Sequence, residues 1–248
     1  MIEFLKNRYE LVMDKQQKII SMFDNIAKTY DIANRVLSFG VDRYWRKRGC
    51  QLAYRYYNMK KIELIVDVAC GTGDMMDYWN RVAKEENIEV GTILGIDPSV
   101  GMVEVGKKKF PDFQFQIATA TDMNIEPNSA DFISIAYGIR NVVEREKAFQ
   151  EFYNKLKNGG ILVILEFTKD KKKGILTRVR DFYMTKILPI VGGVISKNRE
   201  AYQYLPNSIG DFITSEQMKE ELEKVGFSML EYRSFSMGIS SLFIAKKG

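Results

Sequence analysis

An α/β fold with a doubly wound, mostly parallel sheet is predicted by three features of this 248-residue sequence. From about Glu63 onward, short β-rich runs alternate with amphipathic helical stretches, the order that builds a parallel sheet through right-handed crossovers. The first run, Ile62–Val68, passes directly into a glycine-bearing turn and then a helix. The second run ends on an acidic residue, Asp97. This combination describes a Rossmann-like domain.

The elements follow in order. Residues 1–60 are largely helical and tyrosine-rich, and are expected to form an N-terminal lid over the ligand-binding end of the sheet. Ile62–Val68 reads as a buried strand because β-branched and leucine positions sit together without a helical stripe. A helix starts near Asp74. Thr92–Ile96 is a second strand, and Ser99 is placed to cap a helix running to about Lys109. Phe113–Ala118 alternates like a third strand and Asp131–Tyr137 reads as a fourth. Glu144–Leu156 carries apolar residues at helical spacing, namely Ala148, Phe149, Phe152 and Leu156. Asn158-Gly159-Gly160 is expected to stop that helix before Gly160–Phe167, the most apolar strand. An insertion over 169–214 precedes a helix at Ser215–Val225, and Ser228–Ser234 with Ser240–Lys246 form a C-terminal antiparallel hairpin at one edge. No flexible linker divides the chain. Residues 1–248 are therefore expected to be one domain: a lid (1–60), a core (61–168), the insertion (169–214) and a terminal helix and hairpin (215–248).

Composition removes several function classes. Hydrophobic content of 46% and charged content of 28% are those of an ordinary globular chain, and a net charge of +5 is too modest and dispersed for nucleic-acid binding. Histidine is absent, which excludes Ser-His-Asp and Cys-His catalysis and removes the commonest metal ligand. Two cysteines, Cys50 and Cys70, make neither a disulfide framework nor a metal site. Charged residues Glu3, Lys6, Arg8 and Glu10 leave no apolar signal core at the N-terminus, and no apolar run reaches the ~18–20 residues that span a bilayer. A cytoplasmic protein is expected, able to reach the inner face of the membrane.

The turn Ala69-Cys70-Gly71-Thr72-Gly73 follows Asp67 at the end of the first strand. Gly71 and Gly73 let backbone approach a ligand where a side chain would collide. Asp97 can accept hydrogen bonds from both hydroxyls of an adenosine ribose. A leading carboxylate, Asp67, would repel a pyrophosphate but suits the ammonium and sulfonium of S-adenosylmethionine, and Met76 stands where a dinucleotide fingerprint would place its third glycine. A methyl donor is therefore favoured over a dinucleotide.

More specific runs are Phe23-Asp24-Asn25-Ile26-Ala27 with Tyr30-Asp31-Ile32-Ala33-Asn34, then Leu37-Ser38-Phe39-Gly40-Val41-Asp42-Arg43-Tyr44-Trp45. Ala69–Asp74, Tyr137-Gly138-Ile139-Arg140-Asn141-Val142, and Leu156–Gly160 leading to Leu165-Glu166-Phe167 complete the set. On these residues, from Phe23 to the C-terminus, the sequence resembles class I methyltransferases and specifically the menaquinone/ubiquinone biosynthesis C-methyltransferase family. The resemblance implies S-adenosylmethionine as cofactor, with contacts from Thr72, Asp97, Thr119 and Ala120. Asp122 is a second candidate for the adenine amino group. Ala33, Asp42 and Thr119 depart from the methionine, histidine and asparagine common in the family.

The implied reaction is methyl transfer to a ring carbon of a demethylated quinol, with demethylmenaquinol preferred over the benzoquinol precursor of ubiquinone. Another small aromatic acceptor, or a non-catalytic role as a cofactor-binding assembly partner, are the alternatives. Arg140 is expected to stabilise a developing phenolate and position a water, with Asn141 orienting the substrate oxygen or that water. An ordinary surface pairing of Arg140 with Asp97 or Glu144 is the plainer reading. Tyr30, Asn34, Arg43 and Trp45, beside Asp31, are lid candidates over a flat ring, against core packing for the aromatic pair. Asp42 reads equally as an exposed loop carboxylate. Glu166 is either a base or a sheet-end carboxylate. Lys169, Lys171, Lys172 and Lys173 ahead of the apolar run Phe182–Val194 suggest a membrane-docking face, against a core helix with a solvated lysine run. The expected partners are a lipid quinol, peripheral membrane contact and a second copy of the chain in a homodimer, with no nucleic acid.

Overall fold

A computed structural model describes residues 2–169, 182–196 and 198–248. Helices α1 (Ile2–Leu37) and α2 (Val41–Tyr57) precede β1 (Lys61–Val68). Then follow α3 (Asp74–Glu85), β2 (Glu89–Ile96), α4 (Val100–Lys109), β3 (Gln114–Gln116), β4 (Ala130–Ala136), α5 (Arg145–Lys155) and β5 (Leu156–Glu166). After a single π turn at Tyr183–Ile187 come α6 (Leu188–Ser196) and α7 (Arg199–Gly210), then α8 (Ser215–Val225), β6 (Phe227–Phe235) and β7 (Ser240–Lys247). Seven strands form one sheet in the order β3-β2-β1-β4-β5-β7-β6. The first five pair in parallel, while β7 is antiparallel to both β5 and β6. The strand order reverses direction between β1 and β4, the crevice where such sheets bind ligands.

Alternation along β1 distributes its side chains between two cores. Ile65 joins Trp79, Phe132 and Tyr54 beneath α2 and α3, and Val66 and Val68 join Phe149, Phe152 and Leu222 beneath α5 and α8. A third cluster, with Ile26, Ala33, Met102 and Tyr202, ties α1 to α4 and α7 over the sheet's carboxyl edge. Helix α1 and the described insertion helices therefore pack at the carboxyl edge, whereas α2 packs on the face of the sheet.

Two boundaries differ from expectation. Helix α5 ends at Lys155 and β5 begins at Leu156, so Asn158-Gly159-Gly160 lies inside the strand. Gly159 there has φ +81° beside a register shift against β4 between Ala130 and Phe132, so the glycines accommodate a bulge and do not stop a helix. The third strand spans only Gln114–Gln116, because it is an edge strand paired with β2 alone. Beyond it the chain turns into a bridge between Thr119 and Asp122.

Candidate active site

Two cavities adjoin at the carboxyl ends of β1 and β4. The first, about 390 Å³, is lined by Gly71, Asp97, Thr119, Ala120 and Asp122 among others. The β1–α3 turn that forms its floor needs three residues with positive φ: Ala69 (50°), Gly71 (55°) and Gly73 (88°). Only glycine adopts this region without strain, so the turn carries one strained residue, Ala69. The Gly71 amide donates to Asp97 Oδ2 and the Ser99 amide to Asp97 Oδ1, each at 2.8 Å. These bonds fix the carboxylate at the cavity edge and leave lone pairs facing it. Burial pushes Asp97 up to about 6, against the two amide hydrogen bonds that pull it down.

Helix α1 closes this cavity from above. Gln16 donates to the Asn141 carbonyl at 3.2 Å and accepts from the Val143 amide at 3.0 Å. Asp24 Oδ1 accepts from the Ser99 hydroxyl at 2.6 Å and the Gly101 amide at 2.9 Å. Neither residue was singled out from the sequence as a contact of the site, although Asp24 lies within a motif.

Three cofactor candidates stand behind this cavity and do not line it. Asp67 is buried in the face toward α3, where Oδ1 accepts from Ser134 Oγ at 2.6 Å, and burial pushes it up to about 7. The Thr72 hydroxyl donates to Asp31 Oδ1 at 2.6 Å and so couples the turn to α1. Gly73 has no room for a side chain, since a Cβ would meet the Phe110 ring at 3.0 Å. The remaining set suits S-adenosylmethionine: a carboxylate for ribose hydroxyls, close backbone at Gly71, and a cavity of suitable size in an acidic surrounding.

The second cavity, about 340 Å³, shares Phe23, Tyr30 and Tyr137 with the first and is walled mostly by aromatic and aliphatic side chains. Tyr30, Asn34, Trp45 and Arg140 line it. Arg140 is 6% exposed and pairs with Glu166, which is fully buried, at 2.7 Å. The same nitrogen donates to the Tyr137 carbonyl at 2.7 Å, and Nε donates to Ser208 at 3.3 Å. Arg140 therefore pairs with neither Asp97 nor Glu144. Glu166, its oxygens also accepting from the Phe167 and Arg140 amides, is the buried counter-ion of that arginine. Burial raises Glu166, while Arg140 pulls it back down.

Asn141 faces the cofactor cavity, where Oδ1 accepts from the Tyr204 hydroxyl at 3.1 Å. Arg43 is exposed and lines neither of these cavities. Asp42 is buried, not an exposed loop carboxylate: it binds Arg35 and accepts from Ser38 Oγ at 2.7 Å. Arg46, Tyr202 and Tyr204 also line a cavity wall, and sequence reasoning missed all three. The signal for Arg46 was present, because Asp42, Trp45 and Arg46 share one face at helical spacing and Arg43 falls off it. For Tyr202 and Tyr204, within the insertion, no such signal existed. Lys171, Lys172 and Lys173 lie outside the described residues. No group of His, Cys, Asp and Glu able to hold a metal ion occurs among the described residues.

Comparison with known proteins accords with this geometry. Residues 11–247 match the model of the ubiE/COQ5 methyltransferase family. The chain is 54% identical over 235 residues to the ubiquinone/menaquinone biosynthesis C-methyltransferase UbiE of Campylobacter jejuni (strain 81116), covering 95% of this chain and 100% of that protein. It is 34% identical over 239 residues to the demethylmenaquinone methyltransferase of Bacteroides fragilis, covering 94% of each. Among solved structures, an S-adenosylmethionine-dependent methyltransferase from Thermotoga maritima superposes with a TM-score of 0.54 at 18% identity, covering 93% of this chain and all of that one. The Haemonchus contortus phosphoethanolamine N-methyltransferase 2, solved with S-adenosylmethionine, gives 0.57 at 16% identity, covering 84% of this chain and 57% of that one. Those two structures show the fold, while the sequence relatives show the family. The chain belongs to the ubiE/COQ5 methyltransferase family, and it is an S-adenosylmethionine-dependent C-methyltransferase.

Proposed function

We propose that this enzyme methylates a ring carbon of a demethylated quinol, with demethylmenaquinol as its acceptor, in menaquinone biosynthesis. The observation that carries this reading is the cavity beside the cofactor site. Its wall is mostly aromatic and aliphatic, with Asn34, Arg46 and Arg140 among its polar side chains, and it meets the cofactor cavity at Phe23, Tyr30 and Tyr137. A flat apolar ring bearing one or two oxygens fits such a lining better than a polar acceptor does. The names of the C. jejuni and B. fragilis relatives point the same way.

S-adenosylmethionine, when bound, supplies an electrophilic methyl on a sulfonium. Asp97 would hold the ribose hydroxyls, and Thr119, Ala120 and Asp122 the adenine side of the cavity. Tyr30 and Tyr137, common to both cavities, would keep the ring edge facing the methyl and exclude water from the line of attack. The quinol hydroxyl gives its proton to water, and the ring carbon forms its bond to the methyl as the carbon–sulfur bond breaks toward sulfur. Loss of the ring hydrogen at that carbon to solvent, with reprotonation of the oxygen, restores the aromatic ring. Arg140, anchored by Glu166, orients the acceptor through its remaining guanidinium N–H groups. Asn141 acts from the cofactor side as a positioning residue.

Peripheral membrane contact belongs to the same reading. Phe39, 80% exposed, forms part of the acceptor cavity's wall, and its ring lies 5.9 Å from that of Tyr183 at the start of the insertion helices. Phe182, Ile190 and Val194 nearby are also exposed. Among the described residues no helix is long and apolar enough to cross a membrane, so contact would be in the plane of the interface.

The direct test supplies labelled S-adenosylmethionine with demethylmenaquinone in its reduced and oxidised forms. Label in the ring of the quinol alone is expected, because the oxidised ring has no hydroxyl to ionise. Equal labelling of both forms, or of neither, contradicts the reading.

A further inference from the structure

Among the described residues, three buried side-chain polar atoms have no hydrogen-bond partner: Trp45 Nε1, Arg46 Nε and the Tyr202 hydroxyl. Their residues are 4%, 7% and 4% exposed, and all three line the acceptor cavity. Unsatisfied buried polar groups are rare, and three around one cavity mark a place where a ligand completes the hydrogen bonding. All three atoms can donate, so the missing partner is an acceptor atom.

The charge balance of the cavity says what kind of acceptor. Two guanidinium groups reach it. Arg140 is neutralised by Glu166 in a buried contact of 2.7 Å. Arg46 has no hydrogen-bonded carboxylate: its Nε lies 3.7 Å from Asp42 Oδ2, an ion pair beyond hydrogen-bond reach, and the charge of Asp74 also acts on it. The Asp42 oxygens are spent on Arg35 and Ser38. Arg46 lies with its guanidinium carbon 5.2 Å from the centre of the Tyr137 ring, and Tyr137 belongs to both cavities. A guanidinium with an unmade hydrogen bond at Nε therefore stands near the junction of the two cavities.

We infer that Arg46, flanked by Trp45 Nε1 and the Tyr202 hydroxyl, forms an oxyanion subsite that binds the acceptor's ring oxygen as a phenolate. The inference rests on the proposed methylation of a hydroxylated ring and adds the group that ionises it. A cation and two neutral donors in a largely apolar cavity lower the pKa of the phenol they hold. Water then suffices as proton acceptor in a protein without histidine. Burial keeps the Tyr202 hydroxyl protonated, hence a donor. Arg140 fixes the ring from its Glu166 anchor, and the two arginines have separate tasks.

The test uses 4-nitrophenol, whose phenolate is yellow and whose phenol is not. Absorbance against pH, with the intact protein in excess, gives the pKa of the bound dye. It is expected to fall by about one unit or more below the free value in the native protein, to return to the free value in Arg46→Gln, and to stay low in Arg46→Lys. An unshifted dye in the native protein, or a shift that survives in Arg46→Gln, overturns the assignment. Should Arg46→Gln fail to fold, Tyr202→Phe probes the same subsite: phenolate binding is expected to weaken severalfold, and unchanged binding overturns it. A second readout is the acidic limb of the kcat/KM profile, which should move to higher pH in Arg46→Gln and be restored in Arg46→Lys. The dye reports anion binding whatever the physiological acceptor is. Failure of the quinol assay therefore leaves the dye shift in place, and failure of the subsite leaves quinol methylation in place.

Discussion

Arg140 and Glu166 form a buried ion pair, Arg140 at the wall of the proposed acceptor cavity, and this changes how substitutions there must be read. Arg140→Ala leaves a fully buried carboxylate without its counter-ion, which costs about 3–5 kcal/mol. Its loss of activity would then mix unfolding with chemistry. The double variant Arg140→Met/Glu166→Gln removes both charges and should unfold within about 1–2 kcal/mol of the native protein. It should still turn over at least about 100-fold more slowly. Thermal unfolding and single-turnover methyl transfer measured on the same preparation check both parts. Asp97 and Asp67 carry the pH dependence. Burial raises them from the ordinary 3.8 to about 6 and about 7. The folded chain thus holds these protons more tightly than the unfolded one, and both groups reduce stability as pH rises from about 4 to about 7. Cofactor affinity runs the other way if, as proposed, the ribose hydroxyls bind the Asp97 carboxylate. Calorimetry should show S-adenosylmethionine binding about tenfold more weakly per pH unit below about 6, and no such fall in Asp97→Asn, which binds weakly throughout. Gly71 and Asp97 were legible in the sequence because a strand–turn–helix with a following acidic strand end is local information. Glu166 as a counter-ion was not, since pairing across 26 residues depends on the β4–β5 register.

Helix α1 works as an element that joins the two cavities. Asp24 holds the start of α4, and Asp31 holds both Thr72 Oγ1 and Lys109 Nζ at 2.6 Å each. Lys109 also binds Asp74 at 2.6 Å, and Arg35 reaches from α1 to both Asp74 and Asp42. Asp24→Ala removes two of these bonds and should cost about 1–2 kcal/mol. The effect should concentrate in α1: faster amide hydrogen exchange there, and faster cofactor release in stopped-flow, with the sheet unchanged. Uniform acceleration of exchange across β1, β4 and β5 would contradict a separate lid. By contrast, Thr214→Ala breaks the capping box of α8, and Thr214 lines neither of the two cavities. About 1 kcal/mol of stability should be lost with no change in cofactor affinity. Elements with strong local signals came out of the sequence closely. Ser99 does cap α4, and α8 spans Ser215–Val225 as its pattern indicates. The start of β5 did not, because two glycines before an apolar run read equally as a helix stop and as a bulge, and only pairing with β4 decides between them.

At the scale of the whole molecule, the proposed function joins a cofactor cavity to a largely apolar acceptor cavity and would open the latter toward a lipid. A net charge of +5 and the exposed Phe39, Phe182, Ile190 and Val194 favour an anionic bilayer surface. Co-sedimentation with vesicles containing anionic lipid should exceed that with neutral vesicles, decline with salt, and drop in a Phe39→Ser/Val194→Ser variant. Binding that ignores both lipid charge and these side chains would remove the membrane from the account. The doubly wound sheet and the terminal hairpin were legible from alternation, and the turn motif led to Gly71 and Asp97 at the first cavity. The acceptor cavity was only half legible: Tyr30, Asn34 and Trp45 came from motifs, while Tyr202 and Tyr204 come from an insertion that reaches the site only through tertiary packing. A naphthoquinol ring is proposed to occupy the cavity between α1, α2 and the described insertion helices. The most direct measurement is methyl transfer from labelled S-adenosylmethionine to reduced demethylmenaquinone and to the reduced benzoquinone precursor of ubiquinone, side by side at equal concentration. The account predicts label in the methylated naphthoquinol at a clearly higher kcat/KM. Label in the benzoquinol alone, or in neither while the cofactor still binds, would contradict it.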